Sequence, residues 1–115
     1  MVDDDESFAR AIGRLLRAAG FGTVIYHSAE AFLKGFAAGT VNCLVLDIQL
    51  GGMSGLDLGR RLAAMGARIP VIFVTASEDD GNCQQAREIN CSAFLHKPVN
   101  GQALIGAIQH AVQPA

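Results

Sequence analysis

The chain has 115 residues, half of them hydrophobic and 17% charged, which suits one compact domain with an interior sheet and excludes disorder. A formal net charge of -2, with no basic stripe, excludes the electrostatic footprint of a nucleic-acid binder. Cys43, Cys83 and Cys91 have neither CxxC nor finger spacing and read as reduced thiols of a cytosolic protein, and neither a signal peptide nor a membrane span is expected.

Only Met1 and Val2 precede the acidic triplet Asp3-Asp4-Asp5, where a strand usually needs about five residues. Either the chain begins inside its first strand or that strand is truncated. Phe8, Ile12, Leu15, Leu16 and Ala19 recur at helical spacing over 5–19, with Asp5 as N-cap and Gly20 as stop. The β-branched and aromatic run 23–26 predicts a strand. Ser28 caps a second helix to about Phe36, in which Ala29, Phe32, Leu33 and Phe36 share a face. Cys43-Leu44-Val45-Leu46 is a continuous apolar run, the pattern of a parallel strand covered on both faces, and it ends on Asp47. After Gly51-Gly52-Met53, Ser54 caps a third helix to about Met65, with Asp57 at N3 and Gly66 ending it. A strand is predicted over 69–74, then a polar helix over 79–89 ended by Asn90, a short strand over 93–95 and a last helix over 101–112. Strands alternating with helices imply right-handed crossovers and a doubly wound α/β sheet. Ligands of such sheets bind beyond the carboxyl ends of the strands, where Asp47, Thr75 and Lys97 all fall.

A carboxylate at the end of a buried strand is costly unless it has partners or a task. Asp3, Asp4 and Asp47 converging within about 5 Å would repel strongly, and Lys97 alone cannot neutralise them. A divalent cation would, and an all-oxygen set with few protein ligands suits Mg²⁺. Carboxylate, Mg²⁺, lysine and hydroxyl together are the equipment of phosphoryl transfer, with Asp47 as nucleophile. A lysine at ~4 Å from an oxyanion contributes about 4 kcal/mol at an effective dielectric near 20, enough to matter to the barrier.

The chain resembles the receiver domains of two-component response regulators. The resemblance is carried by Val2-Asp3-Asp4-Asp5-Glu6, Leu46-Asp47-Ile48-Gln49-Leu50 running to Gly52-Met53-Ser54-Gly55-Leu56, Val74-Thr75-Ala76 and Phe94-Leu95-His96-Lys97-Pro98. It implies a single receiver domain over 1–115. The implied fold is a flavodoxin-like, five-stranded parallel sheet of order 2-1-3-4-5 with five helices, the first strand shortened here. It also implies that Asp47 takes a phosphoryl group from a histidine kinase. Asp4 would ligate Mg²⁺ directly and Asp3 mainly through water, with Gln49 offering its backbone carbonyl. Thr75 and Lys97 would bind the phosphoryl oxygens, and Phe94 would be the aromatic switch that turns inward as Thr75 moves toward the phosphate.

Ser28-Ala29-Glu30-Ala31-Phe32-Leu33 and Cys91-Ser92-Ala93-Phe94-Leu95 look most like receivers of nitrogen-fixation-type regulators, which usually precede a helix-turn-helix output domain not contained in this sequence. The face of the fourth predicted helix, the last strand and the last helix, with Gln84, Gln85, Ala103 and Ala107, suits partner docking or a homodimer. Gln49 and Ser77 stand where the family tunes phosphate lifetime. Gly51 stands where the family commonly has proline, so a looser loop is expected after Asp47.

Two other readings compete. A haloacid-dehalogenase-type phosphatase would carry a second aspartate two residues after its nucleophile, where this chain has Gln49. A pseudo-receiver would keep the fold without phosphorylating, and the shortened first strand is its support. His27, His96 and His110 show no metal spacing and read as non-catalytic, and Gly51-Gly52 lacks the lysine of a phosphate-binding P-loop.

Overall fold

The computed structural model describes residues 1–36, 41–67, 69–76, 84–86, 89 and 91–112. The first helix, α1 (Glu6–Ala18), starts where Asp5, in extended conformation, accepts the Phe8 amide on its side chain, and it stops before Gly20 at φ 96°. Helix α2 (Ala29–Gly35) is capped by Ser28 and buries Phe32, whose ring stacks on Phe36 and meets Tyr26 edge-on. The wholly buried strand β1 (Leu44–Asp47) leads to α3 (Gly55–Ala64), capped by Ser54. Strand β2 (Val71–Thr75) is also buried throughout, β3 (Cys91–His96) is partly exposed, and α4 (Gly101–Ala111) closes the described chain under an Asn100 cap.

The three strands pair in parallel in the order β1-β2-β3, with Asp47 opposite Val74 and Thr75 opposite His96. Side chains alternate across this sheet. Leu44, Leu46, Val71 and Phe73 join Phe32, Leu58 and Leu62 on one face, while Val45, Ile72 and Val74 join Leu16, Leu104 and Ile108 on the other. Helices therefore cover both faces, which is why the central strands read as unbroken apolar runs.

At the free edge of β1, Val2 bridges in parallel to Leu46 on one side and Tyr26 on the other. The Val2 amide donates to the Val45 carbonyl at 2.8 Å, the Asp47 amide to the Val2 carbonyl at 2.9 Å, and the Asp3 amide to the Tyr26 carbonyl at 3.0 Å. The expected strands at the N-terminus and over 23–26 are thus single bridges, so three strands, not five, form among the described residues. Among the described residues, Val2 alone carries the bridges that join this segment to its two neighbours. The last strand is longer than the sequence predicts, starting at Cys91 and ending at His96. Of the helix expected over 79–89, residues 84–86 are helical. The rest of that helix, apart from Ile89, lies outside the described residues, as do Asn90, Ser77 and Cys83.

Candidate functional site

Parallel strands end together, and here their carboxyl ends bring four segments to one edge of the sheet. Asp47 is the last residue of β1, Thr75 the last of β2, and Lys97 follows β3 directly. Asp3 is carried in by the backbone bonds of Val2. The loops are stitched at the same level, the Ile48 amide donating to the Val74 carbonyl at 3.0 Å and the Lys97 amide to the Thr75 carbonyl at 2.8 Å.

Asp3, Asp47 and Thr75 are the buried polar residues of this otherwise apolar interior among those described. The Lys97 ammonium lies 3.1 Å from Asp3 Oδ2 and 3.2 Å from Asp47 Oδ2. Asp47 Oδ1 accepts the Gln49 amide at 3.0 Å. Burial is the main cause that pushes the Asp47 carboxyl up to about 6. The Gln49 amide opposes the rise, the Asp3 charge reinforces it, and Lys97 offsets part of it. For Lys97 the largest influence, burial, acts downward. The contacts with Asp3 and the charge of Asp47 outweigh it, so its pKa is raised.

Asp3, Asp4 and Asp47 each present a carboxylate oxygen within 4.8 Å of the others. Asp3 Oδ2 is buried and, beyond its ion-pair contact with Lys97, meets no donor at hydrogen-bonding geometry. A buried carboxylate oxygen held by an ion pair but by no hydrogen bond, in an all-oxygen set, fits a hard divalent cation. The exposed Asp4 takes its orientation from the Gly51 amide, which donates to Asp4 Oδ2 at 3.2 Å. Proline at this position would have no N–H to give, so the glycine expected only to loosen the loop also anchors a carboxylate.

Several contacts escaped the sequence reading. The Gln49 side-chain oxygen accepts the Ala76 amide at 3.3 Å, tying the loop after β1 to the loop after β2. His27, read as non-catalytic, has Nδ1 3.3 Å from the Asp3 carbonyl oxygen. The Phe8 ring lies under the Lys97 ammonium. Gly55 packs so tightly on the end of β1 that an added Cβ would overlap the Asp47 carbonyl oxygen. Helical spacing already marked Phe8 as inward-facing, but no side-chain pattern signals the backbone approach at Gly55. Phe94 is half-buried at the core margin, its ring centroid 5.3 Å from that of His96.

A family model, the response regulator receiver domain, matches residues 1–109. Over all 115 residues the chain is 36% identical to the response regulator protein TmoT of Ectopseudomonas mendocina, spanning 52% of that protein. It is 29% identical to the transcriptional regulatory protein FixJ of Bradyrhizobium diazoefficiens, spanning all of this chain and 56% of that one. The solved response regulator StyR matches with a TM-score of 0.92 and 38% identity, over 97% of this chain and 57% of its own. A receiver domain protein from Clostridium thermocellum, 24% identical, shares the fold with a TM-score of 0.87 over 96% of this chain and 90% of its own. The chain thus spans about half the length of the curated relatives it matches.

Proposed function

This chain belongs to the response regulator receiver domain family, and from that premise we propose that Asp47 is its phosphoacceptor, with Thr75 and Lys97 as the groups that receive the phosphoryl oxygens. The module is a receiver domain of two-component signalling. The observation that carries the proposal is one lysine ammonium bridging two buried carboxylates where the strands end.

An Asp47 oxygen attacks the phosphorus of a kinase phosphohistidine. A carboxylate O–P bond forms, the N–P bond breaks, and the electron pair leaves on the imidazole. Because the Asp47 carboxyl sits near 6, it is largely ionised at pH 7 yet more basic than an ordinary aspartate, which suits a nucleophile. Lys97, already among the site's charges, exchanges part of its contact with Asp47 for a phosphoryl oxygen, and the Thr75 hydroxyl takes another. Asp3, Asp4, Asp47 and the Gln49 carbonyl would hold Mg²⁺, which would offset negative charge on the transferring group. The phosphoryl group bonds Thr75 and Lys97 in one of two arrangements only, so phosphorylation shifts a population, and Phe94 reports the shift by turning inward.

The spatial order Tyr26, Val2, β1, β2, β3 supports a five-segment 2-1-3-4-5 sheet within a single receiver domain over 1–115. In the whole protein we assign a histidine kinase as donor and place the module ahead of a transcriptional output domain. We place the protein in the cytoplasm, with slow self-dephosphorylation and a homodimer through the face of residues 84–86, β3 and α4. Among the described residues no helix is long and apolar enough to cross a membrane.

Incubation with acetyl phosphate and Mg²⁺ should place one hydroxylamine-labile phosphoryl group on each chain, and none when Mg²⁺ is chelated. Lys97→Ala should keep Mg²⁺ binding, since it removes a cation from an acidic cluster, but lose the change in dimerisation or partner binding that phosphorylation brings. Intact coupling in that variant would remove Lys97 from the switch. A wild-type chain that neither binds Mg²⁺ nor takes up phosphate would instead be a pseudo-receiver.

A further inference from the structure

We infer that Phe8 is a positioning residue for Lys97, its ring face holding the ammonium between the Asp3 and Asp47 carboxylates. The ring centroid lies 4.2 Å from Lys97 Nζ, inside the ~6 Å reach of a cation–π attraction. An ammonium carries three N–H groups, and Nζ has three close neighbours among the described residues: Asp3 Oδ2, Asp47 Oδ2 and this ring.

Both partners of the contact are fixed by their backbones. The Phe8 amide donates to the capping carboxylate of Asp5 at 3.1 Å, and the ring packs on the cluster containing Val74 and Leu104. The Lys97 amide donates to the Thr75 carbonyl. A lysine stem left to itself samples many rotamers. The ring removes that freedom before a phosphoryl group arrives, which is preorganisation of the charge that the transfer uses. A ring face also presents no oxygen, so it holds the ammonium without adding a competitor to the phosphoryl oxygens.

The ring contact stands on geometry alone, while its effect on phosphorylation rests on the proposed roles of Asp47 and Lys97. The test compares wild type, Phe8→Leu, Phe8→Met and Phe8→Tyr, with thermal melting as the control for folding. One readout is the ring-current shift of the Lys97 ε-methylene protons in the unphosphorylated domain, and the other is the rate of phosphorylation by acetyl phosphate with Mg²⁺. The Leu variant should lose the upfield shift and react about three- to tenfold more slowly. Tyr should restore both, and Met, which keeps bulk without a ring, should behave like Leu and stands in for it if Leu does not fold. Unshifted ε protons in the wild type, or a Leu or Met variant as fast as wild type, would overturn the inference. A wild type that shows the ring-current shift but takes up no phosphate would sink the proposed function and leave the contact intact.

Discussion

Asp47→Asn should melt several degrees above the wild-type domain when Mg²⁺ is absent, and should take up no phosphoryl group. The Asp47 carboxyl rises from an ordinary 3.8 to about 6, chiefly because the strand end buries it. The folded state therefore binds this proton more tightly than the unfolded state does. Its contribution to stability grows as pH falls through about 6 toward 3.8, and above 6 the full cost of a buried charge is present. Two pKa units at about 1.4 kcal/mol each put that cost at roughly 3 kcal/mol. The side chain is 4% exposed, so solvent screens little of it.

Asparagine removes the charge and keeps an oxygen for the Gln49 amide, but deprives Lys97 of one of its two carboxylates. The net gain is then about 1–2 kcal/mol, or several degrees for a domain of this size. The advantage over wild type should shrink when the melt is repeated near pH 5, because the wild-type carboxyl is then protonated. A midpoint below wild type, or a difference that ignores pH, would show that Asp47 is not stored as a costly charge. Stability given up at a reacting group in this way is a common exchange at functional sites.

A second large effect is expected from Gly55→Ala, which should cost about 2 kcal/mol or more and impair phosphorylation even in the fraction that folds. The Gly55 amide donates to the Ile48 carbonyl at 2.9 Å, drawing the start of α3 onto the end of β1. An alanine Cβ would overlap the Asp47 carbonyl oxygen and come within 2.8 Å of the Ile48 Cα. Both are backbone atoms, so no rotamer change relieves the clash, and the strand end must move with its carboxylate. Overpacking of this kind costs about 1–3 kcal/mol or more, while alanine's better helix propensity returns at most about 1 kcal/mol. Gly51→Ala is the control: its Cβ would meet only the Asp4 carboxylate, at an ordinary 3.9 Å. Chemical denaturation of both variants checks the contrast, and equal stability would show that α3 can retreat from β1.

Much of this architecture was legible because its signals are local. Asp5, Ser28 and Ser54 cap where their side chains predict, since each places an acceptor three residues ahead of an otherwise orphaned amide. Asp47 and Thr75 were conspicuous because each ends an apolar run buried on both faces. Lys97 was found by its place after the last strand. The segment 23–26 forms a single bridge, Tyr26 to Val2, because a strand is a property of a pair and the residues of one segment do not announce the extent of the other. The Gly51 amide on Asp4, the Gly55 contact with Asp47 and the Gln49 bridge to Ala76 were invisible for a related reason. They depend on backbone groups brought together across the loops, and no residue type announces them. Gln49 still decides one matter by its chemistry, since an amide cannot serve as the second acid or base that a phosphatase of the dehalogenase type requires.

Where the phosphoryl group goes decides whether Asp47 is the phosphoacceptor. The chain is treated with acetyl phosphate and Mg²⁺, the acyl phosphate is reduced with borohydride, and the modified residue is mapped by peptide mass spectrometry. Homoserine is expected at position 47 in the wild type and nowhere in Asp47→Asn. Homoserine at position 3 or 4, or label retained in Asp47→Asn, would contradict that assignment.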